Sequence, residues 1–274
     1  MLAFARRFAW LQPFIAAFLI VSISQAGFAH VLSFEYGQSQ PPTPSQDPQA
    51  MALLQQSCKV MGTNPSDSIA TGNVQIQAGG AQSTGTIRIL TKGTAESLWQ
   101  LTLPDTTKTI IFNTGLASAS DGSATQVLQL ELAVTSQVTE FPLPLITSIL
   151  NDPNTSSQYV GLETSGSASL QHVRVWDSFA SSPDLAALSP FSTRDIWIDG
   201  SSGLVQRISF TVRAAQGASP GVATDIYYSG YQVASGVAYP YNIQESVNGT
   251  PWAAISLQSV SFNNGLTDSQ FAIP

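Results

Sequence analysis

The chain is short of the residues that most chemistry needs. Its 274 residues include one cysteine and two histidines, and charged residues make up only 10%. A single cysteine, Cys58, excludes an intramolecular disulfide. Gln55-Gln56-Ser57 ahead of it is no lipobox, so Cys58 is not an acylation site and reads as a buried structural cysteine. Of the histidines, His30 falls near the start and only His172 lies well inside the chain. One histidine and one cysteine cannot build a typical zinc or copper site. The glycine patterns of dinucleotide and P-loop sites are missing, as is Ser-x-x-Lys. No cofactor, metal or enzymatic role is expected, and a hydrolase centred on His172 is the residual catalytic alternative. His172 shares a strand face with Arg174 and reads as a surface or capping residue. Asp195 and Asp199 lie on one strand side about 13 Å apart at the usual strand rise, and Asp199 reads as a turn former.

Positive charge is scarce as well. Lys and Arg total 10 against 17 acidic residues, a formal net charge of −7, and lower by two once Arg6 and Arg7 are removed. An acidic, lysine-poor chain repels phosphate backbones and lacks the basic patch that holds a protein on anionic headgroups, so neither nucleic acid nor a charged lipid surface is expected as a partner. Long apolar runs are also missing. The longest, Phe14 to Ile23, is well short of the roughly 20 residues that a spanning helix needs. It follows Arg6-Arg7 and precedes Ser24-Gln25-Ala26 and Gly27-Phe28-Ala29, two small-x-small sites. Residues 1–29 are therefore expected to be a secretory signal, with the mature protein exported, periplasmic or secreted, and free of a membrane span.

Residues 30–48 follow as a linker. Its Pro-rich part, Gly37 to Pro48, favours a polyproline conformation and has nothing to bury. Asp47 and Pro48 then predict a helix start, Ala50, Leu54, Ser57, Cys58 and Met61 recur at helical spacing, and Gly62 predicts its end. After that the period changes to two. Val74 and Ile76, Ile87 and Ile89, Trp99 with Leu101 and Leu103, and Ile110-Ile111-Phe112 mark strands separated by short turns. Residues 115–123 are rich in Gly, Ser and Ala and read as a loop. Phe141 to Leu150 predicts one or two helical turns plugging an apolar opening, and Ser182-Pro183 starts another short helix. Strands resume with Val173 and Val175, Ile196 and Ile198, then Ile208, Phe210 and Val212. Ile226 with Tyr228, Tyr239 with Tyr241 and Ile243, and Ile255 with Leu257 complete the set, the last pair following the hairpin turn Asn248-Gly249. Connections too short for crossover helices require antiparallel pairing. The expected fold is mainly β: roughly ten to twelve strands in one curved antiparallel sheet or partial barrel over residues 49–274, with helices in its mouth.

Several of these phrases resemble the LolA/LolB-like lipoprotein-carrier superfamily. They are Gly85-Thr86-Ile87-Arg88-Ile89, Gly93, Trp99, Pro104 and Ile110 to Gly115, then Ile196-Trp197-Ile198-Asp199 with Gly203, Tyr228, Gly236-Val237 and Pro240. The closing phrase Val260, Phe262-Asn263, Leu266-Thr267-Asp268, Phe271, Pro274 is the most specific. The resemblance covers most of residues 50–274 and implies an open half-barrel whose hydrophobic cavity shields acyl chains in transit across the periplasm, without chemistry. Two departures mark a divergent branch. Leu98 stands where an arginine often precedes the tryptophan, and Ala117 to Ser123 replaces an aromatic motif. The implied partners are lipid or lipoprotein acyl chains. The apolar lining would be Ile87, Ile89, Trp99, Leu101 and Ile111 from the first strands and Leu145 and Ile149 from the plug. Val173, Val175, Ile208, Phe210, Val212, Ile255 and Leu257 would complete it from the later strands. Periodicity alone leaves a second reading open, in which these residues are packed core and the domain is a structural or protein-interaction module of the envelope.

Overall fold

A computed structural model describes residues 43–128, 130, 133, 140–166, 168–212 and 221–273; the expected signal at 1–29 and most of the linker lie outside them. The alternation read above becomes thirteen strands: β1 (Asp67–Ala78), β2 (Ala81–Lys92), β3 (Glu96–Leu103), β4 (Thr106–Asn113), β5 (Leu116–Ser120), β6 (Thr125–Val127), β7 (Thr155–Ser165), β8 (Ala168–Asp177), β9 (Arg194–Asp199), β10 (Val205–Val212), β11 (Val222–Ala234), β12 (Val237–Val247) and β13 (Thr250–Phe262). They form one sheet in the order β6-β5-β4-β3-β2-β1-β13-β12-β11-β10-β9-β8-β7, antiparallel throughout. The sheet is thus two meanders joined by the pairing of β1 with β13, and its outermost strands do not pair, so the barrel stays open. The glycine- and alanine-rich stretch expected to be a loop is instead β5. Its small side chains Ala117 and Ala119 are buried, and a strand meets no penalty where such residues pack against a neighbouring wall.

Curvature shows in what packs together. Val212 of β10 shares a small apolar cluster with Ala117 and Ala119 of β5, eight places away in the strand order. The main cluster fills the concave side. Register places Val74, Ile255, Ile243 and Tyr228 opposite one another, then Ile226, Ile208, Ile196 and Val173, and on the other flank Ile89, Trp99 and Ile110. Each strand contributes every second residue to this face because side chains alternate across a pleat.

Among the described residues, two helices cover it. In α1 (Pro48–Met61) the Asp47 carboxylate accepts hydrogen bonds from the N–H groups of Gln49 and Ala50, Pro48 sits at the start, and the N–H of Gly62 closes onto the Cys58 carbonyl. Its buried face is Ala50, Leu54, Ser57 and Met61, laid against β7, β8 and β12. Cys58 is only partly buried and packs at the edge of the core. The second helix, α2 (Pro142–Asn151), lies in the connection between β6 and β7, the two free edges of the sheet. A chain that leaves one edge and re-enters at the other must cross the mouth of the half-barrel, and α2 is part of that crossing. The predicted short helix after Ser182 is a 3-10 segment, Pro183–Phe191, and a second such segment, Asp268–Phe271, packs on β3 and β4.

The end of the linker does pair with the sheet, though it stays largely exposed. Gln46 bridges Ser157 in parallel, the Ser157 N–H donates to the Ser45 carbonyl, and the Asp47 N–H donates to the Ser157 carbonyl. A strand edge offers unpaired backbone groups whatever the side chains, which is why a proline-rich composition did not reveal the pairing.

Candidate functional site

The concave face is the candidate site. Ile87, Ile89, Trp99, Leu101, Leu145, Ile149, Val173, Val175, Ile208, Ile255 and Leu257 all belong to the one cluster there. Phe210 is partly buried between it and the smaller cluster that holds Val212. Ile111 is set apart. It pairs with Leu98 while its neighbour Ile110 pairs with Trp99, so Ile111 points to the outer side of the sheet. A doublet of isoleucines carries no phase, and only pairing decides which one faces in.

The interior is closed by α2, and the closure is almost wholly apolar. The helix carries no charged residue, its N-cap Phe141 makes no side-chain cap bond, and Leu143, Leu145, Ile146 and Ile149 are buried. Phe141 stacks on Tyr239 with ring centroids 4.3 Å apart. The backbone of α2 comes close to α1, and to no strand comparably among the described residues, so large side chains fill the space beneath it. Cys58 Sγ meets Thr147 Oγ1 at 3.9 Å across the two helices. A cavity of about 120 Å³ remains beside the helix, lined by Thr91, Ser97, Phe112, Phe141, Pro144 and Leu145 among others. That is less than the roughly 150 Å³ that holds one benzene ring, so an acyl chain does not fit this cavity unless α2 moves.

Ionisable groups are set into this apolar surface. Glu245 continues the inward-facing run of Tyr239, Tyr241 and Ile243 on β12 and is buried. Burial first, and the charge of nearby Glu140 second, hold its carboxyl well above the ordinary range. Burial also pushes the Arg194 guanidinium down to about 10, still charged at neutral pH, with its Nη1 donating to the Ser192 carbonyl. Lys108, buried on β4, is lowered by burial and partly restored by Asp121. Sequence reasoning missed these groups, although the period-two run ending in Glu245 was a usable signal.

His172 is neither a surface nor a capping residue. It is 6% exposed on the outer side of β8, with Nδ1 2.7 Å from Glu163 and Nε2 2.7 Å from Asp195. Asp195 also takes a bidentate pair of bonds from Arg174. Asp199 shapes its own turn by accepting from Ser201 and Ser202. Gly217-Ala218-Ser219-Pro220-Gly221 has the spacing of a nucleophile elbow, and residues 213–220 lie outside the described ones. The segment joins two strands rather than a strand to a helix, and Pro220 lacks the N–H that the residue after such a serine supplies to an oxyanion hole. The described residues hold no group of His, Cys, Asp and Glu arranged for a metal ion and no helix long and apolar enough to cross a membrane.

No protein-family model matches the chain, and no curated protein matches its sequence. Solved structures do match in shape. A LolA superfamily protein from Nitrosomonas europaea aligns at 12% identity with a TM-score of 0.55, covering 82% of this chain and 97% of the other. An outer membrane lipoprotein-sorting protein domain from Vibrio parahaemolyticus aligns at 11% identity and a TM-score of 0.56, covering 81% and 96%. A DUF1329 family protein from Desulfovibrio piger aligns at 12% identity and a TM-score of 0.52, covering 82% and 96%. With its open antiparallel sheet, thirteen strands among the described residues, and helices across the concave face, the chain shares the fold of these structures, the LolA superfamily protein among them.

Proposed function

We propose that the protein is an exported, non-catalytic carrier that takes up the acyl chains of a lipid or lipoprotein beneath α2. The observation that carries this reading is the nature of the closure: an uncharged helix held over a wide apolar face by side-chain packing. Lifting α2 exposes Leu143, Leu145, Ile146 and Ile149. At about 1.5–3 kcal/mol per side chain, that costs roughly 6–12 kcal/mol in water. A sixteen-carbon chain entering the space regains about 0.8 kcal/mol per methylene, or roughly 12 kcal/mol. The two sums are of one size, so the helix stays shut without ligand and gives way to one. A reversible carrier needs that balance. The likeness in fold to the lipoprotein-sorting protein domain from Vibrio parahaemolyticus is in keeping with the reading.

The test is titration of residues 43–274 with a sixteen-carbon fluorescent fatty acid, with native mass spectrometry for stoichiometry. Saturable uptake that displaces α2, followed through nitroxide labels on α1 and α2, is expected. A folded protein that ignores the fatty acid at micromolar concentration overturns the reading. It would favour the alternative that the filled concave face already suggests, an envelope interaction domain with a solid core.

A further inference from the structure

The outer side of the sheet carries a second feature. Register sets His172, Trp197, Arg207, Tyr227 and Gln244 opposite one another on β8, β9, β10, β11 and β12, a straight row across five strands. The His172 and Trp197 rings stack at 4.3 Å and 19°, the Arg207 guanidinium lies 4.2 Å from the Trp197 ring centre on a cation–π contact, and it lies 5.4 Å from that of Tyr227. Carboxylates lock the row. Glu163 and Asp195 grip the two nitrogens of His172, and Asp225 grips Arg207 at 2.6 Å while also accepting from Ser209. Above the row lies a groove of about 580 Å³, which runs from Thr164, Ser165 and Ala168 at the β7–β8 hairpin to Ser229 and Gln244. Tyr227 is 39% exposed in it. Trp197 lines it too, and among the described residues its buried indole N–H has no hydrogen-bond partner. A buried donor left unpaired is costly in a packed structure, and a water or a ligand group that reaches it relieves that cost.

The lining decides the class of ligand. It is too polar for an acyl chain. Its one guanidinium is already neutralised by Asp225, so it offers no net positive charge to phosphate. Strands in mid-sheet have spent their backbone groups on each other, so an extended peptide cannot add as a further strand there. The groove supplies one exposed aromatic rim, Tyr227, with hydroxyls, an amide that both donates and accepts, and a carboxylate that accepts. A pyranose presents the complement, with hydroxyls of both roles around an apolar C–H face. The volume falls within the usual 300–1,000 Å³ of small-ligand sites.

We propose that the groove over the His172–Trp197–Arg207–Tyr227 row is a binding site for an uncharged oligosaccharide. The site is independent of the acyl site across the sheet.

The experiment follows the Trp197 indole N–H of the ¹⁵N-labelled protein by NMR during titration with the N-acetylglucosamine tetramer, the glucose tetramer and their monosaccharides. One or both tetramers shift it saturably at millimolar concentration or below. A tetramer that binds more tightly than its monomer marks a polysaccharide as the source, and equal affinities mark a free sugar. Tyr227→Ala and Glu163→Gln, checked for an unchanged fold, weaken binding at least tenfold and leave fatty-acid uptake as it was. The proposal is overturned if no sugar moves the signal, if either variant binds within twofold of the parent, or if only a proline-rich peptide moves it.

Discussion

If α2 is the gate, tying it to α1 should abolish uptake, and the chain's single cysteine makes the experiment clean. Cys58 Sγ and Thr147 Oγ1 are 3.9 Å apart. In Thr147→Cys, side-chain rotation brings two sulfurs to bonding distance. The residues are 89 apart in sequence, and closing a loop of that length removes about 4.6 kcal/mol of unfolded-state entropy at room temperature. For a domain of this size each kcal/mol moves the melting temperature by about 2–4 °C, so the oxidised variant should melt about 9–18 °C above its reduced form. Uptake should move the other way. The oxidised protein, its bridge confirmed by the loss of free thiol, should take up the sixteen-carbon probe at least tenfold more weakly than the reduced protein. Reductant should restore uptake, and Cys58→Ser combined with Thr147→Cys should behave as reduced. A fully bridged protein with unchanged affinity refutes the gate, because α2 would then be shown fixed while the ligand enters elsewhere.

Other expectations follow from groups whose energetics the structure makes plain. Burial, and then the charge of Glu140, hold the Glu245 carboxyl well above its ordinary range in the fold, a shift that is lost on unfolding. Its cost to stability is therefore nil below the unfolded value of 4.5 and grows as pH rises from there toward the folded one; Glu245→Gln should raise the melting temperature at pH 7 and flatten its fall between pH 5 and 7, and an unchanged pH profile would contradict the assignment. Asp67 accepts bonds from the Asn264, Gly265 and Leu266 N–H groups and from Asn264 Nδ2. Burial raises its carboxyl, but these donors more than offset that and hold it below the ordinary value, so its contribution is present above pH 3.8 and is lost as pH falls through the lower folded value. Asp67→Ala should cost about 2–3 kcal/mol in urea unfolding at neutral pH and release the C-terminal segment to protease. Gly62 has φ +105°, and a Cβ there would sit 2.3 Å from the Gly236 carbonyl oxygen. Gly62→Ala should cost about 3 kcal/mol from backbone strain and displacement of the β11–β12 turn, read as a lower urea midpoint.

Local chemistry was legible in the sequence. Asp47, Pro48 and Gly62 delimit α1 because caps act through neighbouring backbone groups. The alternations around Ile208 and Ile243 read as strands because a pleat imposes its period on each strand separately. The closing Leu266-Thr267-Asp268 and Phe271 pointed to the fold that the structure has, in which Asp67 accepts from the Leu266 N–H and Phe271 is buried. Alternation, cap and turn also established a mainly antiparallel architecture, since the connections leave no length for crossovers.

What the tertiary structure alone decided is which residues meet. The inward phase of the Ile110-Ile111 doublet depends on pairing with Trp99. The burial of His172 between Glu163 and Asp195 depends on three strands lying side by side, and a lone histidine in a sequence carries no trace of two carboxylates 9 residues before it and 23 after it. The strand at Leu116–Ser120 depends on curvature that brings β10 across to shelter its alanines. Whether the concave face is open or filled depends on where α2 comes to rest, which follows from its place between the two free edges of the sheet. Short-range order is set by backbone geometry and solvent, which act within a few residues. Closure of the half-barrel and the row across its outer face are set by strand order and twist, which are sums over the whole chain.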